Sequence, residues 1–363
     1  MTAPHARVQA DLATLLSRVT AAYQLGPVQH WSVLTTGYED CNVAVQTSEQ
    51  HLVIKVFATG RAGIAKRTAA ILEQALAAGV AHPRLHRSPA GRLVHHELGH
   101  AVLIMDHARG ATVYDLGRAP TRAELAALLR QTVQLHSTPI RQVPKFVADP
   151  WAITNLEPLA RELDELLDRE QQQLVAQAVA AVQTVDRAAL PHALIHGDLT
   201  QGNVLMCPED EQVTVLDFAV ATWAPRVQEL AVIAANLTHG DPAPLPERAR
   251  QITELYSATA PTPLSQTESA AMQAYSHAGA AMEFLGALRA HHHGHHSAET
   301  DMLIELGLSG LRDCAAVSSP DSATTSAPPV PGRAGADAAT ECSPAPATAT
   351  GTGNHPRQQP TRH

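Results

Sequence analysis

Large aromatic side chains are scarce in this chain of 363 residues, of which Phe, Trp and Tyr make up only 3%. Hydrophobic residues of all kinds nevertheless make up 45%, which is ample for a core. Alanine and leucine must therefore do most of the packing, and both residues favour helices. The length exceeds that of a typical single domain and predicts two lobes or two domains.

A positive net charge and a long apolar run are also absent. The net charge is −9, which argues against a nucleic-acid partner, because such a partner favours a basic patch. No apolar run approaches the length that spans a bilayer, and residues 1–16 lack the charged and then apolar layout of a secretory signal. We therefore expect a cytoplasmic protein with neither a nucleic acid nor a membrane as its partner, while the oligomeric state stays open.

Cysteine is rare as well. The four cysteines are widely spaced and include no C-x-x-C pair: Cys41, Cys207, Cys314 and Cys342. We therefore expect reduced thiols rather than a disulfide framework or a zinc cluster. The histidines within 291–296 are of a type that binds zinc, nickel or copper, but no Cys or acid accompanies them at ligand spacing. We interpret this segment as a solvated loop.

The chemistry is concentrated in residues 194–218. Four positions match the catalytic loop H-x-D-L-x-x-x-N in register: His196, Asp198, Leu199 and Asn203. Asp217 follows a short apolar run and stands before Phe218. Each polar residue alone fits a turn that caps a backbone N–H group. Together they supply a group that orients an attacking hydroxyl and hard oxygen ligands for Mg²⁺, which indicates phosphoryl transfer from a nucleotide.

The region before this stretch is rich in predicted strands. Helical spacing covers residues 8–23 and 61–78. Apolar runs of strand type lie at 31–35, 43–47, 52–57 and 102–105. A further hairpin is predicted around the Pro-Ala-Gly turn at 89–91. Gly37 lies in the turn-rich segment 36–42, where a loop over a triphosphate can donate backbone N–H groups, although a single glycine is weak support.

Lys55 stands within the apolar run at 52–57. A strand lysine often extends its ammonium group to water, whereas in kinase-like sites a strand lysine holds the α- and β-phosphates of a nucleotide. The catalytic loop downstream favours the second interpretation. Glu73 is the only acid in the predicted helix at 61–78 and is the candidate ion-pair partner of Lys55.

A predicted hinge at 106–110 separates this region from a helical one. The backbone at the start of the hinge is placed to meet an adenine edge. The candidate nucleotide-binding residues there are Met105, Asp106 and His107. Helical patterns then cover 121–136, 155–169, 171–188, 225–236, 245–257, 265–289 and 298–316. The sequence therefore predicts an α+β fold with a small β-rich lobe before a larger helical lobe.

The predicted boundaries are an N-terminal helix at 1–26, a nucleotide-binding N-lobe at 27–107, a catalytic and acceptor-binding C-lobe at 108–317, and a tail at 318–363. The tail is dense in Pro, Ala, Ser, Thr and Gly. Such a composition buries too little apolar surface to offset the entropy of ordering. We therefore expect the tail to be disordered.

These motifs resemble the aminoglycoside phosphotransferase family, whose relatives include choline kinase and type II homoserine kinase. The likeness covers roughly residues 10–315 and includes residues 37–42, 53–57 and 135–137 beside the motifs of 194–218. Glycine in His-Gly-Asp-Leu, where protein kinases usually have arginine, points to the small-molecule branch. The resemblance implies a protein-kinase-like two-lobed fold, ATP and Mg²⁺ as cofactors, and transfer of the γ-phosphate to a hydroxyl of an aminoglycoside-, homoserine- or choline-like acceptor.

The resemblance also implies a role for each matched residue. Asp198 would orient the acceptor hydroxyl, and His196 would support the catalytic loop through hydrogen bonds. Asn203 and Asp217 would hold the Mg²⁺ that bridges the phosphates. Lys55 would contact the α- and β-phosphates.

Three positions depart from the family pattern. Ala69 stands where the ion-pair glutamate normally falls, and Glu73, one helical turn later, is its candidate substitute. Ala219 follows Asp217-Phe218, where many relatives have glycine or an acid. Glu229 begins a Glu-Leu-Ala sequence in place of the usual Asp-Leu-Ala, and is a candidate anchor of the catalytic loop.

Two other functions stay open. The missing acid at position 69 admits a nucleotide-binding pseudokinase with a regulatory role. A protein kinase fits less well, because no Ala-Pro-Glu element follows Asp217, and Trp-Ala-Pro-Arg at 223–226 leaves little room for an activation loop. Glu268 and Glu283 lie in late helices, where the family builds acceptor sites, and neither is singled out.

Overall fold

The computed structural model describes residues 8, 11–34, 40–139, 150–209 and 212–318. Gly37 and the predicted tail from residue 319 lie outside the described residues. The described chain has an antiparallel sheet followed by a mostly helical region. The predicted α+β architecture is therefore confirmed.

The N-lobe is built around one five-stranded sheet. Its elements are α1 (Leu12–Tyr23), β1 (Val28–Leu34), β2 (Cys41–Thr47), β3 (His51–Val56), α2 (Ala62–Ala77), β4 (His95–Glu97) and β5 (His100–Asp106). The strands pair antiparallel in the order β1-β2-β3-β5-β4. Side chains alternate between the two faces of a strand. Leu52 and Ile54 of β3 therefore pack with α1, while Val53 and Lys55 line a cleft on the other face.

The hairpin expected around residues 89–91 lies elsewhere. Its predicted position is therefore wrong. A turn does form there, since Gly91 N–H donates to Ser88 O at 2.7 Å. The paired strands β4 and β5 are instead joined by Leu98 and Gly99, which have φ angles of 48° and 81°. Positive φ at both residues suits a two-residue hairpin. Pro-Ala-Gly is the stronger local turn signal, but it sets only the turn before β4.

Helices make up most of the C-lobe. They are α3 (Val113–Leu116), α4 (Arg122–His136), α5 (Leu156–Leu163), α6 (Arg169–Gln183), α7 (Arg226–Val232), α8 (Leu245–Thr259), α9 (Gln266–His292) and α10 (Ala298–Ser318). Helix α9 packs against α6, α7, α8 and α10. A Cβ atom on Gly307 of α10 would lie 2.6 Å from Ala280 O of α9, so these helices meet at their backbones. Close packing of small residues thus takes the place of aromatic side chains.

Short strands hold the catalytic stretch at both ends. They are β6 (Ala111–Thr112), β7 (His192–Ile195), β8 (Val204–Cys207), β9 (Gln212–Val215) and β10 (Thr222–Pro225). Strand β8 pairs with β6 and β9, and β7 pairs with β10. Of these strands, sequence reasoning reached only the one before Asp217. Within the described segments, no helix combines the length and apolar character that crossing a membrane requires.

Candidate active site

A cavity of about 1030 Å³ lies between the N-lobe sheet and the helical lobe. Lys55 and Met105 reach it from β3 and β5, and Asp198 and Asn203 from the loop between β7 and β8. Asp217 reaches it from the segment after β9. Small-molecule pockets usually measure about 300–1,000 Å³, so the cavity is at the upper end of this range. The structure thus brings together residues that are far apart in the sequence.

His196 supports the catalytic loop from a fully buried position. Its Nε2 lies 2.6 Å from Leu216 O and donates to it, while its Nδ1 accepts the N–H of Asp198 at 3.2 Å. Burial lowers the pKa of His196 to about 4. The ring is therefore neutral near pH 7, and one tautomer satisfies both hydrogen bonds. A neutral, buried imidazole that joins two backbone segments fits the supporting role expected of it.

Asn203 fixes the orientation of Asp198. Its amide nitrogen donates to Asp198 Oδ2 at 2.6 Å and to the carbonyl oxygen of Asp198 at 3.0 Å. Because both amide hydrogens are directed to Asp198, the amide oxygen is left to serve as a hard ligand for a cation. The structure thus places an oriented carboxylate beside one member of the expected metal site.

Glu229 anchors the catalytic loop through a hydrogen bond, as predicted. It is fully buried, and its Oε2 accepts the N–H of Gly197 at 2.8 Å. Gly197 has a φ of 84°, which glycine adopts without the penalty that a Cβ atom brings. Burial raises the pKa of Glu229 to about 8. The carboxyl is therefore mostly protonated at pH 7.

Lys55 and Asp217 are joined directly across the cleft. Lys55 Nζ donates to both carboxylate oxygens of Asp217 at 2.7 Å each. Burial acts to raise the pKa of Asp217, but the charge and hydrogen bonds of Lys55 outweigh it and lower the pKa. Asp217 also has a φ of 53°, which is uncommon for a residue other than glycine. Strained backbone of this kind is concentrated at functional sites, which supports a functional role for Asp217.

Helix α2 does not bring Glu73 to Lys55, so the predicted pairing of these residues is wrong. The Glu73 side chain is 46% exposed and pairs with Arg87. Thr68 and Leu72 are the α2 residues that line the cleft, whereas Ala69 packs in a separate apolar cluster. Consecutive helical residues are turned by about 100°. Counting one turn onward from Ala69 therefore leads away from the cleft.

Helix α2 is instead connected to the catalytic stretch through Arg67. The guanidinium donates to Ala219 O at 2.9 Å and also to Ala221 O. Both carbonyl groups follow Asp217 in the chain, so the helix is fastened directly to this segment. Sequence reasoning missed Arg67 because its acceptors are backbone atoms, which no residue pattern reveals.

Asp40 is a second acid near Lys55. Its side chain is 3% exposed, and its Oδ2 lies 3.9 Å from Lys55 Nζ. Its Oδ1 lies 3.0 Å from Arg61 Nε and accepts the N–H of Ala58 at 3.3 Å. Burial raises the pKa of Asp40, and the positive charges of Lys55 and Arg61 oppose this rise. Asp40 belongs to the 37–42 segment of the family resemblance, but no residue pattern assigns it a role.

Strand β5 ends at the predicted hinge. Met105 of β5 lines the cleft, and so do four residues of the hinge: Asp106, His107, Ala108 and Gly110. The N–H of Asp106 donates to Arg84 O and that of His107 donates to His51 O, each at 3.0 Å. The N–H of Ala108 has no hydrogen-bond partner among residues of the described segments. Ala108 therefore presents the first available backbone donor of the hinge.

Asn236 connects the catalytic loop to α9. It lies in a π-helical turn after α7, a feature frequent at functional sites. Its Oδ1 accepts the N–H of Gln201 at 2.9 Å, and its Nδ2 donates to Glu283 at 2.9 Å. Glu283 lines the cleft, whereas Glu268 is buried in an ion pair with Arg226 at 2.6 Å. Of the two late-helix acids, only Glu283 belongs to the candidate site.

The end of the cleft at α9 is lined by both apolar and charged side chains. Trp151 packs on Gly286 of α9, where any side chain would meet its ring. Further lining residues are Glu162, Met282, Arg289, Glu299, Met302 and Leu303. The solvated loop expected at 291–296 is wrong in part, since α9 continues to His292 and both His293 and His295 line the cleft.

A lysine-bearing antiparallel sheet joined by a hinge to a helical lobe, with the Asp198, Asn203 and Asp217 set, defines a kinase-like phosphotransferase. The model of the phosphotransferase enzyme family matches residues 30–264, and the chain belongs to this family. It is a small-molecule phosphotransferase that acts on hydroxyl groups. A search of curated proteins finds no match to the sequence.

Solved structures share the fold. A spectinomycin phosphotransferase in complex with ADP and spectinomycin is 13% identical over 85% of this chain and 99% of that chain, with a TM-score of 0.61. An aminoglycoside phosphotransferase in a ternary complex with ADP and hygromycin B is 14% identical over 84% and 99%, with a TM-score of 0.57. An amicoumacin kinase with AMP-PNP and Ca²⁺ is 13% identical over 85% and 95%, with a TM-score of 0.60. These similarities confirm the predicted protein-kinase-like fold.

Proposed function

We propose that this enzyme transfers the γ-phosphate of ATP, with Mg²⁺ as the metal, to a hydroxyl group of a small molecule. The observation that carries the proposal is the convergence of four separated side chains on one cavity: Lys55, Asp198, Asn203 and Asp217. The related structures that hold ADP or AMP-PNP support a nucleotide in this cleft. We also place the enzyme in the cytoplasm, where ATP is supplied and cysteines stay reduced.

In this mechanism Asp198 orients the acceptor hydroxyl and accepts its proton, while Asn203 holds the carboxylate in place. The Asn203 amide oxygen and the Asp217 carboxylate are suitable ligands for Mg²⁺, which supplies charge neutralisation on the phosphates when bound. Lys55 contacts the α- and β-phosphates. Since the transition state of phosphoryl transfer is loose, fixed charges and positioning account for most of the catalysis.

The acceptor occupies the α9 end of the cleft. Glu283 is tied to the catalytic loop through Asn236 and Gln201, so an acceptor bound at Glu283 lies on the same framework as Asp198. Glu162 and Glu299 also line the cleft, and acids attract an amine of the acceptor. Aminoglycoside-, homoserine- and choline-like molecules all carry both an amine or ammonium group and a hydroxyl.

The test is phosphate transfer from ATP and Mg²⁺ to a pooled library of hydroxyl metabolites and aminoglycosides, followed by mass spectrometry. Asp198→Asn serves as the control, since it retains the size of the side chain. We expect products that gain one phosphate with the wild type and none with the variant. Equal product formation by Asp198→Asn would refute the assignment of the site.

A regulatory pseudokinase is the second candidate, because α2 presents Thr68 and Leu72 to the cleft rather than an acid. Stabilisation by Mg-ATP in thermal-shift titration, without transfer to any acceptor of the library, would favour it. A protein kinase is disfavoured by the chain after Asp217. Strand β10 begins at Thr222 and pairs with β7, so only residues 218–221 separate Asp217 from the next strand.

A further inference from the structure

This inference rests on the proposed function, under which Lys55 and a metal ion compete for the same carboxylate. The hydrogen bonds of Lys55 run to both oxygens of Asp217, yet Asp217 is also the expected metal ligand. A carboxylate that binds Mg²⁺ is a weaker partner for an ammonium group, because the cation competes for the same oxygens. The α2 residues that line the cleft, Thr68 and Leu72, offer no acid in its place. Lys55 therefore needs another acid.

Asp40 stands in the right place because of the sheet register. Strand β2 begins at Cys41 and pairs antiparallel with β3, so Cys41 lies opposite Val56 and Asn42 opposite Lys55. Asp40 therefore enters the sheet beside Lys55, and its Oδ2 is 3.9 Å from the ammonium nitrogen. Asp40, a loop residue of the N-lobe, thus supplies the carboxylate that α2 was expected to supply to Lys55.

The carboxylate of Asp40 is held so that one oxygen is directed at Lys55. Arg61 and the N–H of Ala58 both engage Oδ1, while Oδ2 is the oxygen nearest to Nζ. Two acids, Asp40 and Asp217, therefore face two cations, Lys55 and Arg61. If Asp217 turns to a metal, Asp40 still balances the lysine within a nearly dry site, where an unpaired charge is costly.

We propose that Asp40 is the positioning residue for Lys55, because α2 brings no acid to the cleft. Asp40 holds the ammonium group at the inner wall of the cleft while Lys55 contacts the nucleotide phosphates. It acts through Lys55 and does not touch the nucleotide. A purely structural role is the competing explanation, in which Asp40 only fixes the Ala58–Arg61 turn before α2.

The proposal is tested by ADP binding, measured by isothermal titration calorimetry without any acceptor. The proteins are the wild type, Asp40→Asn, Lys55→Met and the double variant, with Glu73→Gln as the matched N-lobe control. We expect Asp40→Asn to raise the Kd of Mg-ADP about tenfold, because Lys55 loses the ion pair that positions it, and Glu73→Gln to leave it unchanged. In the Lys55→Met background, Asp40→Asn should have no further effect, since coupled residues are not additive.

Metal dependence gives a second readout that a structural role would not move. With Mg²⁺ removed by chelation, Asp217 remains available to Lys55, so the effect of Asp40→Asn on the Kd of ADP should shrink to about threefold or less. An equal effect with and without Mg²⁺ would overturn the proposal. So would an effect of Asp40→Asn that persists in the Lys55→Met background.

Folding of each variant is checked by thermal denaturation. If Asp40→Asn does not fold, Asp40→Glu replaces it in the same set of single and double variants. It keeps the charge but displaces it by one methylene. The displaced carboxylate should then change ADP affinity in the presence of Lys55 and not in its absence. No ADP binding by the wild type would refute the proposed function together with this inference. Normal wild-type binding that is unchanged in Asp40→Asn would refute this inference alone.

Discussion

The two sides of the cleft are assembled in different ways. On the C-lobe side, Asp198 and Asn203 are held by hydrogen bonds within one continuous stretch that ends at Asp217. On the N-lobe side, Lys55 is surrounded by acids from distant parts of the chain, Asp217 and Asp40. The first arrangement depends on local backbone geometry, and the second depends on sheet register and on contact between lobes. We therefore expect changes on the two sides to affect different steps.

The largest effect is expected from Asp198→Asn. Loss of the group that orients and deprotonates the acceptor should lower kcat about 10³-fold. The Kd of ADP and the midpoint of thermal unfolding should stay close to those of the wild type, because Asp198 lies in a loop on the chemical side of the cleft. Steady-state kinetics and calorimetry measure the two quantities. A loss of nucleotide affinity equal to the loss of kcat would contradict the expectation that the two sides affect different steps.

Lys55→Met should produce a smaller effect on a different quantity. Removal of the ammonium group should raise the Kd of ADP about 30-fold, since a hydrogen bond to a charged group contributes about 2 kcal/mol. Lys66→Met is the matched control, because Lys66 is an exposed lysine of the following helix. Calorimetric titration with ADP gives both values. Similar affinities for the two variants would show that Lys55 does not contact the phosphates.

Glu229→Gln tests how the C-lobe side is supported, through stability rather than activity. The folded-state pKa of Glu229 is about 8, above the ordinary 4.5, so the folded protein binds this proton more tightly than the unfolded chain does. The stability that Glu229 contributes through this proton is therefore fully present below about pH 4.5 and is lost as the pH rises towards 8. The carboxamide does not titrate and still accepts the N–H of Gly197.

Urea denaturation at pH 5 and pH 9 measures this difference. The stability of Glu229→Gln relative to the wild type should be higher at pH 9 than at pH 5. A relative stability that does not change with pH would mean that Glu229 is not buried as a protonated acid.

The smallest effect is expected from Asp106→Asn at the hinge. The carboxylate of Asp106 binds the exposed Arg84 and the more buried His86, and an exposed pair contributes about 0.2–1 kcal/mol. The Kd of ADP should therefore change by no more than about fivefold. Ala108→Pro, which removes the available N–H group, should weaken ADP more than Asp106→Asn does. The reverse order would place the adenine contact on the side chain of Asp106.

The positions of the C-lobe residues of the candidate site could be anticipated from the sequence because the signals there are local. His196, Asp198 and Asn203 occur at fixed spacings within one loop, and the turn geometry that joins them is determined by nearby residues. The sequence also predicts Glu229 as an anchor of the loop, because Glu-Leu-Ala at 229–231 stands where the family has Asp-Leu-Ala. The structure confirms the hydrogen bonds that these roles require.

The partners of Lys55 were not predictable in the same way. Helical spacing predicts Glu73 as the partner of Lys55. The rotation of α2 about its own axis is set by packing, however, which the sequence does not display. Asp40 reaches Lys55 through the pairing of two strands, and Asn236 reaches Glu283 through a π-helical turn. Each of these contacts joins residues that are separated in the chain and depends on tertiary geometry. The phosphate-loop role of Gly37 stays a prediction, since residues 35–39 lie outside the described chain.

The contact of Arg67 with Ala219 O and Ala221 O has a consequence for how this lineage can vary. Every amino acid has a carbonyl group, so the attachment survives substitution at either position as long as the backbone path is kept. The attachment of α2 therefore sets no requirement on side-chain identity at these two positions. Packing restricts them instead, since Ala219 and Ala221 are both buried. Alanine at 219 therefore accepts the hydrogen bond from Arg67 as any other residue there would.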